Sequence, residues 1–319
     1  MRRRDDDTPP LFPGLRPDRN GGAPEAAELR PGVRELAATL PGTLRLGTSS
    51  WSFPGWRGLV YRDEATESAL AKSGLAAYAR HPLMRSVGVD KTFYRPAPRE
   101  EFARLAAQVP DDFRFLVKMW RGLVEPEHFL DARIAESDCV RPAIEGLGEK
   151  AGPILFQFPP MRLGGAAAHR AFVERLRAFL KALPRGPLYA VEVRNRTLVA
   201  PELGEALADA GAVPCLTVHP TMPEVEIQSR DLALDPTRPL VMRWMLRANH
   251  AYAEAKDLYA PFDRIVEPDD ASRDALARLA RAAVGAGLGA WVIVNNKAEG
   301  SSPLSVERLA RAVADASAT

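Results

Sequence analysis

The feature that most restricts how this chain folds is a recurrence: eight short apolar runs of strand length, separated by longer stretches with the helical period. Strands that are apolar on both faces need covering on both, and a helix after each strand supplies that cover. The runs are Leu44–Thr48, Met84–Lys91, Phe113–Lys118, Ile154–Phe158, Leu188–Val193, Val213–Val218, Leu240–Trp244 and Ala290–Val294. Helices are expected over Glu67–Arg80, Pro98–Gln108, Cys139–Glu149, Ala166–Leu183, Pro201–Ala210, around Tyr252, over Asp270–Ala286 and over Leu304–Ala314, with none assigned after the sixth strand. This order fits a single α/β domain, a closed parallel (β/α)8 barrel, better than an open sheet. The doubly wound open sheet has little support, since no Gly-x-Gly-x-x-Gly opens the first helix and no Walker loop occurs.

With 319 residues and 46% hydrophobic content the chain can bury one large core. Residues 1–40 mix proline, glycine and charge and are expected as a flexible N-terminal extension, leaving 41–319 for the barrel. Within the extension, Leu29, Val33 and Leu36 recur at helical spacing and allow a short helix over Glu28–Thr39. Lysine plus arginine total 43 against 41 acidic residues, so the formal charge is only +2 and any basic site must be local. That balance argues against a protein whose main task is to coat nucleic acid. Cys139 and Cys215 are too few for a disulfide framework or a thiolate zinc site, which points to a reducing compartment. No run of about 18 apolar residues exists to span a bilayer, and the charged opening Met1–Asp7 lacks the apolar segment of a secretory signal. The expectation is a cytoplasmic protein without a membrane partner.

In parallel barrels the chemistry gathers where strands end and lead into helices. Those positions here are polar: Trp51 in the loop after the first strand, Asp90 and Tyr94 after the second, Lys118 at the third, Gln157 in the fourth, Glu192 and Arg194 at the fifth, His219 after the sixth, Arg243 in the seventh, and Asn295, Asn296 and Lys297 after the eighth. Side chains alternate faces along a strand, so Glu192 and Arg194 share one, and burial of either demands a partner. Gln157 interrupts an apolar strand and likewise needs something polar to meet it. The plainer readings are a structural ion network among Glu192, Arg194 and Lys118, loop tryptophans packed under the rim, and a hydrogen-bonded rim role for His219. Cys215 lies mid-strand and reads as core, no Gly-x-Ser-x-Gly elbow is present, and none of the five histidines has metal-ligand spacing.

The run Gly47-Thr48-Ser49-Ser50-Trp51-Ser52-Phe53-Pro54-Gly55-Trp56 resembles the opening motif of the YecE-like family, catalogued as domain of unknown function 72. Further matches follow in order: Thr92-Phe93-Tyr94, Asp111-Asp112-Phe113-Arg114-Phe115 through Lys118, Phe156-Gln157-Phe158-Pro159-Pro160, Glu192-Val193-Arg194 and Asn295-Asn296. The resemblance runs from about Leu44 to Ala314 and implies a TIM-type barrel, with no activity attached. The sequence departs from the pattern at Asp90-Lys91, where Glu-Asn is common, and at His219-Pro220, where an aspartate is more usual.

The leading functional expectation is an enzyme acting on a small anionic or polyhydroxylated substrate. Glu192, Asp90 and Lys118 are its candidate catalytic groups, with either carboxylate as general acid or base. Trp51, Tyr94, Gln157, Arg194, His219, Arg243, Asn295, Asn296 and Lys297 would bind the substrate, with no cofactor and no metal. The alternatives are a non-catalytic binder of a metabolite or, less favoured, of nucleic acid, and a metal-assisted phosphoesterase.

Overall fold

The structure, a computed structural model, describes residues 22–247 and 251–315. Eight parallel strands close into a barrel in sequence order: β1 (Leu44–Thr48), β2 (Ser86–Val89), β3 (Arg114–Lys118), β4 (Ala151–Gln157), β5 (Tyr189–Glu192), β6 (Val213–Val218), β7 (Leu240–Trp244) and β8 (Ala290–Val294). Helices follow over Arg99–Ala106, Ala166–Ala182, Pro201–Asp209, Asp270–Gly285 and Ser302–Asp315, close to the expected ranges. The helix expected over Glu67–Arg80 is broken at Gly74 into Glu67–Ser73 and Leu75–Tyr78. The one expected over Cys139–Glu149 begins earlier, with a wide turn over Ala135–Val140, before Arg141–Leu147.

The connection after β6, for which the sequence predicts no helix, holds one over Val225–Asp231. Its tether is polar. Gln228 is buried, accepts from the Thr217 backbone N–H at 3.0 Å and donates to the Thr217 carbonyl at 2.8 Å, so a glutamine occupies the inward position that an apolar residue would have marked. Part of the expected flexible extension, residues 1–21, lies outside the described residues. Downstream, Ala26 bridges to Tyr61, and a helix over Val33–Thr39 buries Val33, Leu36 and Ala37. Arg30 also pairs with Glu307 of the last helix, so residues 26–39 are docked on the barrel.

Strand register sorts the side chains. One large apolar core lies between the sheet and the helices. A second, inside the barrel, is built from Leu116, Leu155, Ala190, Val213, Cys215, Val241 and Ile293. Moving two residues along each strand keeps the same face, so these positions point Lys118, Gln157, Glu192, Thr217, Arg243 and Asn295 into the upper barrel. Gly47 shares that inner face, level with Ile293, and its backbone lies against β2 so closely that a Cβ would stand 1.9 Å from the Ser86 carbonyl oxygen. The seams are unequal. β1 pairs with β8 along its whole length, but with β2 only at Gly47 and Thr48. β5 meets β6 only through Ala190 and Val191, the latter opposite Pro214, which has no N–H to donate. Among the described residues no helix is long and apolar enough to cross a membrane.

Candidate functional site

The upper layer of the barrel is an ion network centred on Arg243. Its side chain is fully buried in β7, where Nη1 donates to Glu192 Oε2 at 2.6 Å and approaches Gln157 Oε1 at 3.5 Å. Its Nη2 lies 3.5 Å from Asp90 Oδ1. Glu192, also without solvent exposure, places its other oxygen against Arg194, and the Cys215 thiol lies 4.0 Å from Oε2. Burial by itself would raise the Glu192 pKa, but Arg194, Arg243 and Lys118 together outweigh it and hold the carboxyl down at about 2. Arg243 moves the opposite way: burial disfavours its charge, and Glu192 and Asp90 more than restore it. The Cys215 thiol is pushed well up by burial and by Glu192, which leaves it inert at neutral pH.

Lys118 stands apart from these pairs. It is buried, and its Nζ lies 3.6 Å from the centre of the Phe93 ring. Burial first, then Arg243 and Arg194 against the pull of Asp90 and Glu192, bring its amine down to about 8. Lys297 is lowered to about 8 as well, by burial and Lys256 against the pull of Asp90, and its Nζ reaches Asn295 Oδ1 at 3.5 Å. His219 is lowered to about 4 by burial and Arg194, so it is neutral at physiological pH. Its Nδ1 lies 2.9 Å from Thr221 Oγ1 and 3.3 Å from the Thr221 backbone nitrogen.

Of the residues picked from sequence, Asp90, Lys118, Gln157, Glu192, Arg194 and Arg243 meet in this layer, with His219 and Lys297 within its electrostatic reach. Asn295 joins them at the rim, donating to Ser49 Oγ at 2.8 Å and accepting from the Lys297 backbone N–H at 3.0 Å. Three are placed differently. Trp51 is buried, with its indole N–H donating to the Leu70 carbonyl at 3.1 Å, and anchors the loop after β1. Asn296 is buried and accepts at Oδ1 from Trp56 Nε1 at 3.2 Å and from both the backbone N–H and Oγ of Ser302 at 2.8 Å, so it ties the first loop to the last helix. Tyr94 is 71% exposed.

The sequence assigns no site role to Phe93, whose ring supports Lys118, or to Thr217, whose buried Oγ1 makes no hydrogen bond. Thr217 was within reach of the two-residue alternation from Cys215. Phe93 had no such signal, because it sits in a short helical turn over Lys91–Phe93, beyond the strand whose register would have fixed its direction.

Three buried guanidinium nitrogens, Arg243 Nε and Nη2 and Arg194 Nε, make no hydrogen bond. Donors of that kind match oxygens of a phosphate or carboxylate. Among the described residues no three His, Cys, Asp or Glu side chains gather in a way that could hold a metal. A separate cavity of about 290 Å³ lies beside the amino ends of β6 and β7, walled by apolar residues such as Leu232, Leu240 and Leu279, away from the ion network.

Comparison with known proteins agrees with this architecture. The family described as "Protein of unknown function DUF72" matches residues 45–319. Crystal structures of two DUF72 family proteins share the fold. The one from Enterococcus faecalis V583 is 19% identical with a TM-score of 0.57, over 85% of this chain and 95% of that one. The other, from Thermotoga maritima MSB8, is 20% identical with a TM-score of 0.55, over 83% and 97%. No curated protein matches. With nearly the whole barrel inside the matched range, the chain belongs to the DUF72 family of proteins of unknown function.

Proposed function

We propose that this protein is an enzyme acting on a small anionic substrate bound at the carboxyl end of the barrel. The observation that supports this most is a charge imbalance in a buried layer. Among the described residues Lys118, Arg194 and Arg243 gather around two carboxylates, Asp90 and Glu192, and three of the guanidinium nitrogens make no hydrogen bond, Arg243 Nη2 lying only at ion-pair distance, 3.5 Å, from Asp90 Oδ1. A buried donor without a partner costs about 1–3 kcal/mol, and phosphate or carboxylate oxygens would supply what is missing. Glu192 is then a fixed charge that orients the two arginines. Asp90, only half-buried, and Lys118 are the groups left to exchange protons with substrate, and the neutral His219 lies within electrostatic reach of Arg194 and Glu192.

Calorimetry with inorganic phosphate and pyrophosphate tests the binding half of this reading. The expected result is saturable binding that weakens by about tenfold or more in Arg194→Gln, the loss of one charge-assisted contact. No binding of either anion, or equal binding in the variant, would overturn it. Turnover is tested by following consumption of phosphorylated and carboxylated metabolites with wild type and Asp90→Asn. Anion binding without any consumption would make the protein a binder rather than an enzyme.

A further inference from the structure

We propose that Lys118 is a covalent site, whose Nζ condenses with the carbonyl carbon of an aldehyde or ketone bearing a phosphate or carboxylate group. This rests on the anion-binding reading above and adds a reaction class to it.

Lys118 breaks the usual rule for buried lysines, which are almost always paired. Among the described residues its Nζ makes no ion pair and no hydrogen bond, and its neighbour is the face of Phe93 at 3.6 Å. The two carboxylates of the layer are engaged elsewhere, Glu192 by Arg194 and Arg243, and Asp90 by Arg243 at 3.5 Å. The amine is therefore fixed by packing, and its lone pair is not committed to a partner. The charged groups facing it, Asp90, Arg243, Glu192 and Arg194, combine with burial to bring it down to about 8, so a useful fraction is neutral near physiological pH. The arginines that would hold the anionic end of a substrate belong to the same layer. A carbonyl a few bonds from that anion is thus delivered to the amine as an intramolecular reactant.

The step balances without a redox partner. The nitrogen lone pair forms the new C–N bond as the carbonyl π electrons move to oxygen. Both protons of the neutral amine end on that oxygen, which leaves as water, and the C=N bond remains. Asp90, the carboxylate that reaches solvent, relays the protons. Once protonated, the imine withdraws electrons from the adjacent carbon, the chemistry behind aldol-type cleavage and isomerisation.

The test uses pyridoxal 5′-phosphate, an aldehyde with a phosphate, on the full chain with sodium borohydride as reductant, followed by intact mass and peptide mapping. Hydride adds to the imine carbon and fixes the adduct. The expected result is one reduced probe on the peptide carrying Lys118, blocked by inorganic phosphate or pyrophosphate, and rising with pH through about 8. Pyridoxal lacking the phosphate should label this site about tenfold less or weaker still. Lys118→Met, checked for fold by circular dichroism, should lose the label and keep a weaker but measurable affinity for pyrophosphate through Arg194 and Arg243. Label spread over surface lysines without protection by anions would overturn the proposal. If pyrophosphate binds but Lys118 stays unlabelled, the imine falls and the anion site stands. If the wild type shows neither binding nor labelling, both fall.

Discussion

Glu192 has no route to solvent and two guanidinium partners, so burial and pairing together turn a nominal acid–base residue into a permanent charge. Its folded pKa of about 2 lies below the ordinary value of 4.5. Its contribution to stability is therefore fully present above about 4.5 and fades as pH falls towards 2. Urea midpoints measured from about pH 6 down to about pH 3 should fall more steeply in wild type than in Glu192→Gln. At neutral pH the same variant should lose about 3 kcal/mol or more, because Arg194 and Arg243 keep buried charges without a counter-ion. Lys118→Met should cost little or even stabilise, since it removes a buried cation that among the described residues has no ion-pair partner. At this scale the sequence revealed residue types better than roles. Glu192 and Arg194 could be placed on one face by alternation, but the carboxylate's commitment to Arg243, from a strand 51 residues away, needed the closed barrel. Tyr94 stands out in the sequence by its position after the second strand, whereas the ring that packs on Lys118 is its neighbour Phe93.

Elements were legible where a period was undisturbed. β1, β6, β7 and β8 occupy the residues that their apolar runs marked. The helix over Val225–Asp231 was not legible, because its inward anchor is Gln228, and a polar residue satisfied by the Thr217 backbone interrupts the pattern that would have announced it. Asn296 was read as a substrate contact from its position after β8, but its partner Trp56 lies 240 residues earlier in the chain. Asn296→Ala should lower stability by about 1–3 kcal/mol, since it strands the Trp56 and Ser302 donors. Pyrophosphate affinity should stay unchanged, and calorimetry alongside thermal unfolding separates the two effects. Gly47→Ala should be far more damaging, because its Cβ would collide with the Ser86 backbone rather than with a movable side chain.

At the scale of the whole molecule, the near-neutral total of +2 leaves the cationic layer as a local field in a weakly charged body. Binding of pyrophosphate should accordingly weaken only modestly between low and moderate salt, and a steep loss with a single-stranded oligonucleotide would instead indicate an extended polyanion. The fold was readable from eight repeats because each strand–helix unit states the same local pattern. The function was not, because what matters is how strands far apart in sequence face one another. The two thinnest seams, β1 with β2 and β5 with β6, lie on opposite sides of the ring and divide it into two half-shells. Asp90, Lys118, Gln157 and Glu192 belong to one half, Thr217, Arg243 and Asn295 to the other. Arg243, bonded to Glu192 and close to Asp90, is therefore a clasp across the division. A guest that draws this guanidinium to itself is expected to loosen the two seams, and faster amide exchange at Gly47, Thr48, Ala190 and Val191 would register it.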